Sequence, residues 1–157
     1  MKHLKTIALL LLALAALFCF AACGEEEKEV KPLNELLKDI QSAATLPEMM
    51  DMDGNDLMDF LGLPASAYTE SIAEIPMVSI SGDMLFVFRA ADKAGLDKIK
   101  TGLENYRTQK LNEFRDYIPA EAAKIEQSAV ETSGDYVWLV VSENSDAILK
   151  VIEGAIK

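Results

Sequence analysis

The chain has 157 residues, with 15 Lys and Arg, 26 Asp and Glu and a single His, and its formal net charge is -11. This acidity argues against nucleic acid as a partner, because affinity for nucleic acid comes largely from Lys and Arg side chains that neutralise phosphates. The histidine, His3, precedes a long apolar run. If that run is removed, the remaining chain cannot form Ser-His-Asp, Cys-His or histidine-zinc sites.

The N-terminus has the form of a secretory signal. Lys2 and Lys5 precede the 17 uncharged residues 6–22, of which 16 are apolar. The segment ends in Phe-Ala-Ala-Cys at residues 20–23, which resembles the lipobox of bacterial lipoproteins, with Phe20 where Leu is usual. The resemblance implies cleavage before Cys23 and lipid attachment to Cys23, where two acyl chains give stable anchoring.

The alternatives are an uncleaved membrane helix and a chance apolar start. Residues 6–24 are 19 uncharged residues, close to the ~20 needed to span a bilayer. With either a lipid anchor or a helix, Lys2 and Lys5 stay cytoplasmic and the chain after residue 24 lies outside. We predict a lipoprotein signal peptide at 1–22, an acidic linker at 23–32 and one globular α+β domain at 33–157, anchored to the cell membrane.

Two short helices are expected after the linker. Apolar residues at helical spacing predict a first helix over 33–44. Asp53 or Asn55 can cap a second helix that runs through Leu61 and ends at Gly62.

Two hairpins and two further helices follow. Residues 71–80 predict a strand that Pro76 makes an edge strand or a broken one, and residues 84–89 predict a strand pairing back across the turn at 81–83. The remaining predicted elements are a long helix at 92–117 stopped by Pro119, a short helix at 120–127, strands at 129–132 and 136–142, and a helix at 145–156 with Asn144 or Ser145 as cap.

This order predicts an α+β fold with a four-stranded, mainly antiparallel sheet in ββαββα order, packed by helices. The strands at 84–89 and 136–142 are apolar on both faces, which predicts that they lie inside the sheet with both faces covered. If the helices cover only one face, the other is a ligand cleft or a partner interface.

From about Asp51 to Val151 the chain resembles the domain of unknown function 4358, a family of bacterial lipoproteins. The matching features are the strand from Met84 to Ala90, the Tyr-Ile-Pro at 117–119 and the Gly-Asp-Tyr-Val at 134–137. The resemblance implies an anchored domain outside the cytoplasm and brings no substrate, cofactor or catalytic residue.

The long helix carries the main candidate site. Arg107 and Lys110 fall in the arc of Leu103, Tyr106 and Phe114, where apolar residues are expected. One interpretation is that their stems reach past the apolar surface to solvent. The other is a basic pair at the edge of an anion-binding pocket, with Tyr106 as a wall.

No catalytic residue, metal site or cofactor is predicted. The run Asp51 to Asp56 fails the calcium-loop pattern at its sixth and twelfth positions, where Asp56 and Gly62 stand. A carboxylate pair could still act as acid and base, but spacing cannot select one among 26 acids.

We therefore expect a non-enzymatic lipoprotein that binds a small ligand or an envelope protein outside the cell. The alternatives are a carboxylate-dependent hydrolase acting on envelope glycan and a structural or assembly protein that uses an apolar sheet face.

Overall fold

The computed structural model describes residues 30–157. The predicted signal peptide, Cys23 and most of the predicted linker lie outside the described residues. The elements are α1 Leu33–Ala43, β1 Met49–Asp51, α2 Gly54–Leu61, a 3-10 turn Ala65–Ala67, β2 Tyr68–Pro76, β3 Met84–Ala90, α3 Lys93–Arg115, α4 Pro119–Gln127, β4 Val130–Ser133, β5 Tyr136–Val141 and α5 Ser145–Ile156.

The strands form one sheet in the order β1-β2-β3-β5-β4, and every neighbouring pair is antiparallel. The α+β class, the antiparallel sheet and both hairpins are confirmed. The strand count is wrong, because the sheet has five strands rather than four. The missed strand, β1, is three residues long and has too few positions for an alternating pattern.

The extra strand also corrects the placement of β2. With β1 on one side and β3 on the other, β2 is internal rather than an edge strand. Pro76 is the last residue of β2 and faces Met49, so its missing N–H falls where the ladder ends.

Helices cover both faces of the sheet, as the two-sided apolar strands predict. On one face α2, α3 and α4 enclose a core that includes Phe86, Phe88 and Leu139. On the other face α1 and α5 enclose a core that includes Trp138 and Ile148. Every residue of β5 is buried, and every residue of β3 except Arg89.

The helix ends show which polar signals in the sequence act locally. Asp53 caps α2 through a reciprocal capping box with Asp56, and Gly62 ends the helix with φ 66°. Asn144 precedes α5 without a side-chain cap, and its amide nitrogen instead donates to the Thr45 carbonyl at 2.8 Å. That bond ties the start of α5 to the loop after α1.

Within residues 30–157, no helix combines the length and the apolar character that crossing a bilayer requires.

Candidate ligand-binding cleft

A cleft of about 370 Å³ opens between the segment that links β2 to β3 and the second half of α3. The walls are the end of β2 and the following link on one side and α3 with Tyr117 on the other. Its lining residues are Ile75, Pro76, Met77, Val78, Ser79, Ser81, Gly82, Asp83, Met84, Tyr106, Lys110, Glu113, Phe114 and Tyr117.

Tyr106 forms a buried wall of this cleft. The residue is 4% exposed, and its ring packs edge-on against Phe86 with centroids 5.8 Å apart. Burial, with a smaller effect of the Glu113 charge, raises the pKa of Tyr106 to about 12. The hydroxyl is therefore protonated at neutral pH and can donate, and within residues 30–157 it makes no hydrogen bond.

Lys110 and Glu113 stand together in the cleft. The Lys110 Nζ lies 2.8 Å from Glu113 Oε2 and 5.5 Å from the centre of the Tyr106 ring. Glu113 also accepts a bond from Gln109 Nε2 at 2.8 Å. The hydrogen bond from Lys110, followed by the one from Gln109, lowers the pKa of Glu113. The Lys110 ammonium, the Glu113 carboxylate and the Tyr106 phenol thus lie together in a cleft that Asp83 and Tyr117 also line.

Arg107 points elsewhere. Its Nε lies 3.1 Å from Ser128 Oγ and its Nη2 lies 2.9 Å from the Glu126 carbonyl oxygen. These bonds tie α3 to the end of α4, and Arg107 is not among the lining residues. Of the three residues that the sequence singles out, Tyr106 and Lys110 meet in the cleft and Arg107 does not join them.

The turn at 81–83 is held in place by α4. Glu121 Oε2 accepts the Gly82 N–H at 2.7 Å and lies 2.9 Å from Lys124 Nζ. Lys124 also reaches Asp83 at 3.3 Å. Glu121 and Lys124 carry no signal in the sequence beyond their spacing of three residues on a helix. Together they fix the floor of the cleft beside Met84.

The rim of the cleft is apolar and exposed. Met77, Val78 and Ile80, in the link between β2 and β3, are 52–62% exposed, and Tyr117 beyond α3 is 76% exposed. Large apolar side chains grouped around a concave site are typical of binding surfaces.

The cleft lies at the end of the sheet opposite to the start of α1. The Leu33 N–H donates to Glu70 Oε2 at 2.9 Å, which places the start of α1 beside the start of β2. The cleft segment follows Pro76 at the other end of β2. Six residues of strand separate Glu70 from Pro76, a distance of about 20 Å.

A second polar feature is a carboxyl pair between β1 and β2. Asp51 and Glu74 face each other in the ladder, and Glu74 is 7% exposed. Burial first, then the charge of Asp51 and a hydrogen bond with it, raise the pKa of Glu74. Glu74 also lines a separate cavity of about 400 Å³ beside Gln41 and Thr45.

Metal binding finds no support in the part of the chain that the structure describes. No three His, Cys, Asp or Glu side chains between residues 30 and 157 come together in a group that could hold an ion.

Comparison with known proteins gives one match. Searches among curated proteins and among solved structures find none. The family model described as "Domain of unknown function (DUF4358)" matches residues 42–142, a span of 101 residues that includes β1 to β5 and the whole cleft. The chain therefore belongs to the DUF4358 family.

Proposed function

We propose that this protein is a lipoprotein held at the outer side of the cell membrane by lipid on Cys23, and that its cleft binds a partner without catalysing a reaction. The observation that carries the binding function is the cleft itself. It combines an exposed apolar rim with a buried tyrosine whose hydroxyl has no hydrogen-bond partner within residues 30–157. Apolar walls with a few converging polar groups are the usual form of a binding site.

Tyr106 and Lys110 are the polar contacts we expect. A protonated phenol and an ammonium both donate hydrogen bonds, so they suit an acceptor such as a carboxylate or a carbonyl oxygen. Glu113 already neutralises much of the Lys110 charge, and Arg107 is bonded to α4. The expected contact is therefore a polar acceptor within a largely apolar partner rather than a highly charged anion.

The position of the cleft supports a partner outside the membrane. A tether that joins the domain at the start of α1 attaches at the sheet end opposite to the cleft. The apolar rim would then face away from the bilayer and toward other envelope components.

The carboxyl groups fit a hydrolase poorly. A general acid needs a raised pKa, whereas the pKa of Glu113 in the cleft is lowered. Glu74 has a raised pKa, but it does not line the cleft and so forms no acid–base pair with Glu113 there. Helices cover both sheet faces within residues 30–157, so an assembly role would not use an open sheet face.

The proposal is tested by site-specific photocrosslinking in intact cells. A photoreactive residue replaces Val78 at the cleft rim, and a matched protein carries it at Lys150, which is exposed on α5. We expect a defined crosslinked product from position 78 and none from position 150, and we expect mass spectrometry of the same protein to find lipid-modified Cys23 as the first residue.

Equal crosslinking from positions 78 and 150 would show that the protein contacts other molecules without a specific binding site at the cleft. An intact peptide 1–22 on the purified protein would contradict the lipid anchor. The binding function of the cleft would then be tested by the crosslinking result alone.

A further inference from the structure

The segment that forms the outer wall of the cleft has an unusual charge. Residues 39–88 include nine Asp and Glu and no Lys, Arg or His. This stretch contains β1, α2, β2 and the link that carries the apolar rim. Three of these acids pair with basic residues outside the segment, Asp39 with Lys31, Glu70 with Arg89 and Asp83 with Lys124, and the other six form no ion pair within residues 30–157.

The same segment holds most of the exposed apolar surface. Seven large hydrophobic residues are exposed among residues 30–157, and six lie here: Met50, Met58, Phe60, Met77, Val78 and Ile80. Acidic and apolar groups are therefore presented together rather than on separate parts of the domain.

Contacts between β1 and β2 bring part of this surface to the cleft. The Met77 N–H donates to the Glu48 carbonyl at 3.0 Å, and Met50 is the ladder partner of Ile75, which lines the cleft. The start of β1 thus borders the rim. None of the five acids between 48 and 59 forms an ion pair with another residue in the described part of the chain.

We infer that the partner bound at this cleft is a polypeptide segment that combines apolar side chains with Lys or Arg, an inference that rests on the proposed binding function. Its apolar side chains contact the rim and the cleft, and a backbone carbonyl accepts from Tyr106 or Lys110. Its cations face Glu48, which adjoins the rim through the bond from the Met77 N–H, and the other acids of residues 48–59, where complementary charge sets orientation and speeds association.

Charge decides against two other occupants. An anionic membrane surface would be repelled by the acids that border the rim. A second copy docked through the same surface would place like charges opposite one another, because a twofold interface pairs a patch with itself. A segment with basic and apolar side chains complements both the acidic and the apolar groups of this surface.

The test uses the full lipid-anchored chain in nanodiscs of zwitterionic lipid, with empty nanodiscs subtracted. The probes are three 14-residue peptides with the same leucines and with Lys, Gln or Glu at the other positions. We expect the Leu/Lys peptide to bind and the Leu/Glu peptide not to bind. Glu48→Lys with Asp59→Lys should weaken the Leu/Lys complex about tenfold, and Met77→Ser with Ile80→Ser should do the same.

A charge control separates local from overall attraction. Glu35→Lys with Asp97→Lys makes the same change in net charge at two exposed positions outside the segment, at the end of the sheet opposite to the cleft. We expect this pair to weaken binding less than about twofold, because exposed charges beyond a Debye length are screened.

Three outcomes would overturn the inference. These are equal binding of the Leu/Gln and Leu/Lys peptides, equal loss in the two charge-reversed proteins, and binding of anionic vesicles in place of every peptide. If these occur while position 78 still crosslinks in cells, the binding function stands and only the partner chemistry is wrong.

Discussion

The buried carboxyl group of Glu74 makes a prediction at the scale of one residue. Its pKa is raised above the ordinary value of 4.5. A carboxyl with a raised folded pKa contributes most stability below 4.5, and this contribution is lost as pH rises through the folded pKa. Glu74→Gln should therefore raise the free energy of unfolding at pH 7 by about 1 kcal/mol and change it little at pH 4.

Urea unfolding at the two pH values measures this difference. Glu48→Gln is the matched control, because Glu48 is exposed and its change should stay within about 0.5 kcal/mol at both. If Glu74→Gln destabilised the protein more at pH 7 than at pH 4, the Glu74 carboxylate would be stabilising the fold rather than straining it.

Of the three residues that helical spacing singled out, Tyr106 and Lys110 line the cleft and Arg107 does not. Tyr106, Arg107 and Lys110 all fall in the arc of α3 that faces the rest of the domain. Helical spacing predicts this arc but does not predict which neighbour each side chain contacts. Arg107 bonds to the end of α4 because that end lies beside it, and the path of the chain after Pro119 is not contained in the spacing. Glu121 and Lys124 were missed for the same reason.

At the scale of elements, α3 packs closely against α2 and the 3-10 turn. A Cβ added at Gly102 would lie 2.5 Å from the Leu61 carbonyl oxygen, and one at Gly95 would lie 2.2 Å from that of Ala67. The two glycines thus allow close approach to backbone at the end of α2 and in the turn rather than to the sheet.

We expect Gly95→Ala and Gly102→Ala each to destabilise the protein by about 1–3 kcal/mol, because backbone must move to admit the methyl group. This cost outweighs the gain of about 0.5–1 kcal/mol that Ala brings to a helix interior. Gly154→Ala in α5 is the control, since an added Cβ there meets nothing within 4 Å. Urea midpoints that fall equally for all three substitutions would contradict the steric explanation.

Element type was predictable wherever the pattern was long. The bounds of α5 and β3, the cap and end of α2 and the hairpin of β4 with β5 follow from periodicity, Asp53, Gly62 and the turn at 133–135. The missed strand β1 depends on pairing with β2, a contact between residues about 25 apart. Such pairing is a tertiary contact that local spacing does not predict. Because β1 pairs with β2, Pro76 ends an internal strand rather than lying in an edge strand.

At the scale of the whole molecule, the start of α1 and the cleft lie at opposite ends of the sheet. The start of α1 is bonded to the start of β2, and the rim follows the far end of β2. Residues 23–32 can extend at most about 33–36 Å, so the domain stays near the bilayer whatever its tilt. If Cys23 carries the lipid, Asn34 lies on average closer to the membrane than Ser79.

Fluorophores on Asn34→Cys and Ser79→Cys, both exposed positions, measure that order in nanodiscs with nitroxide-labelled lipid headgroups. We expect stronger quenching at position 34 than at position 79, because about 20 Å of β2 separates the two ends. Equal fluorescence in the presence and absence of labelled lipid would show that neither position lies near the bilayer, and this result would contradict the lipid anchor. Stronger quenching at position 79 would turn the apolar rim toward the bilayer and make lipid, rather than a polypeptide, the surface that Met77, Val78 and Ile80 contact.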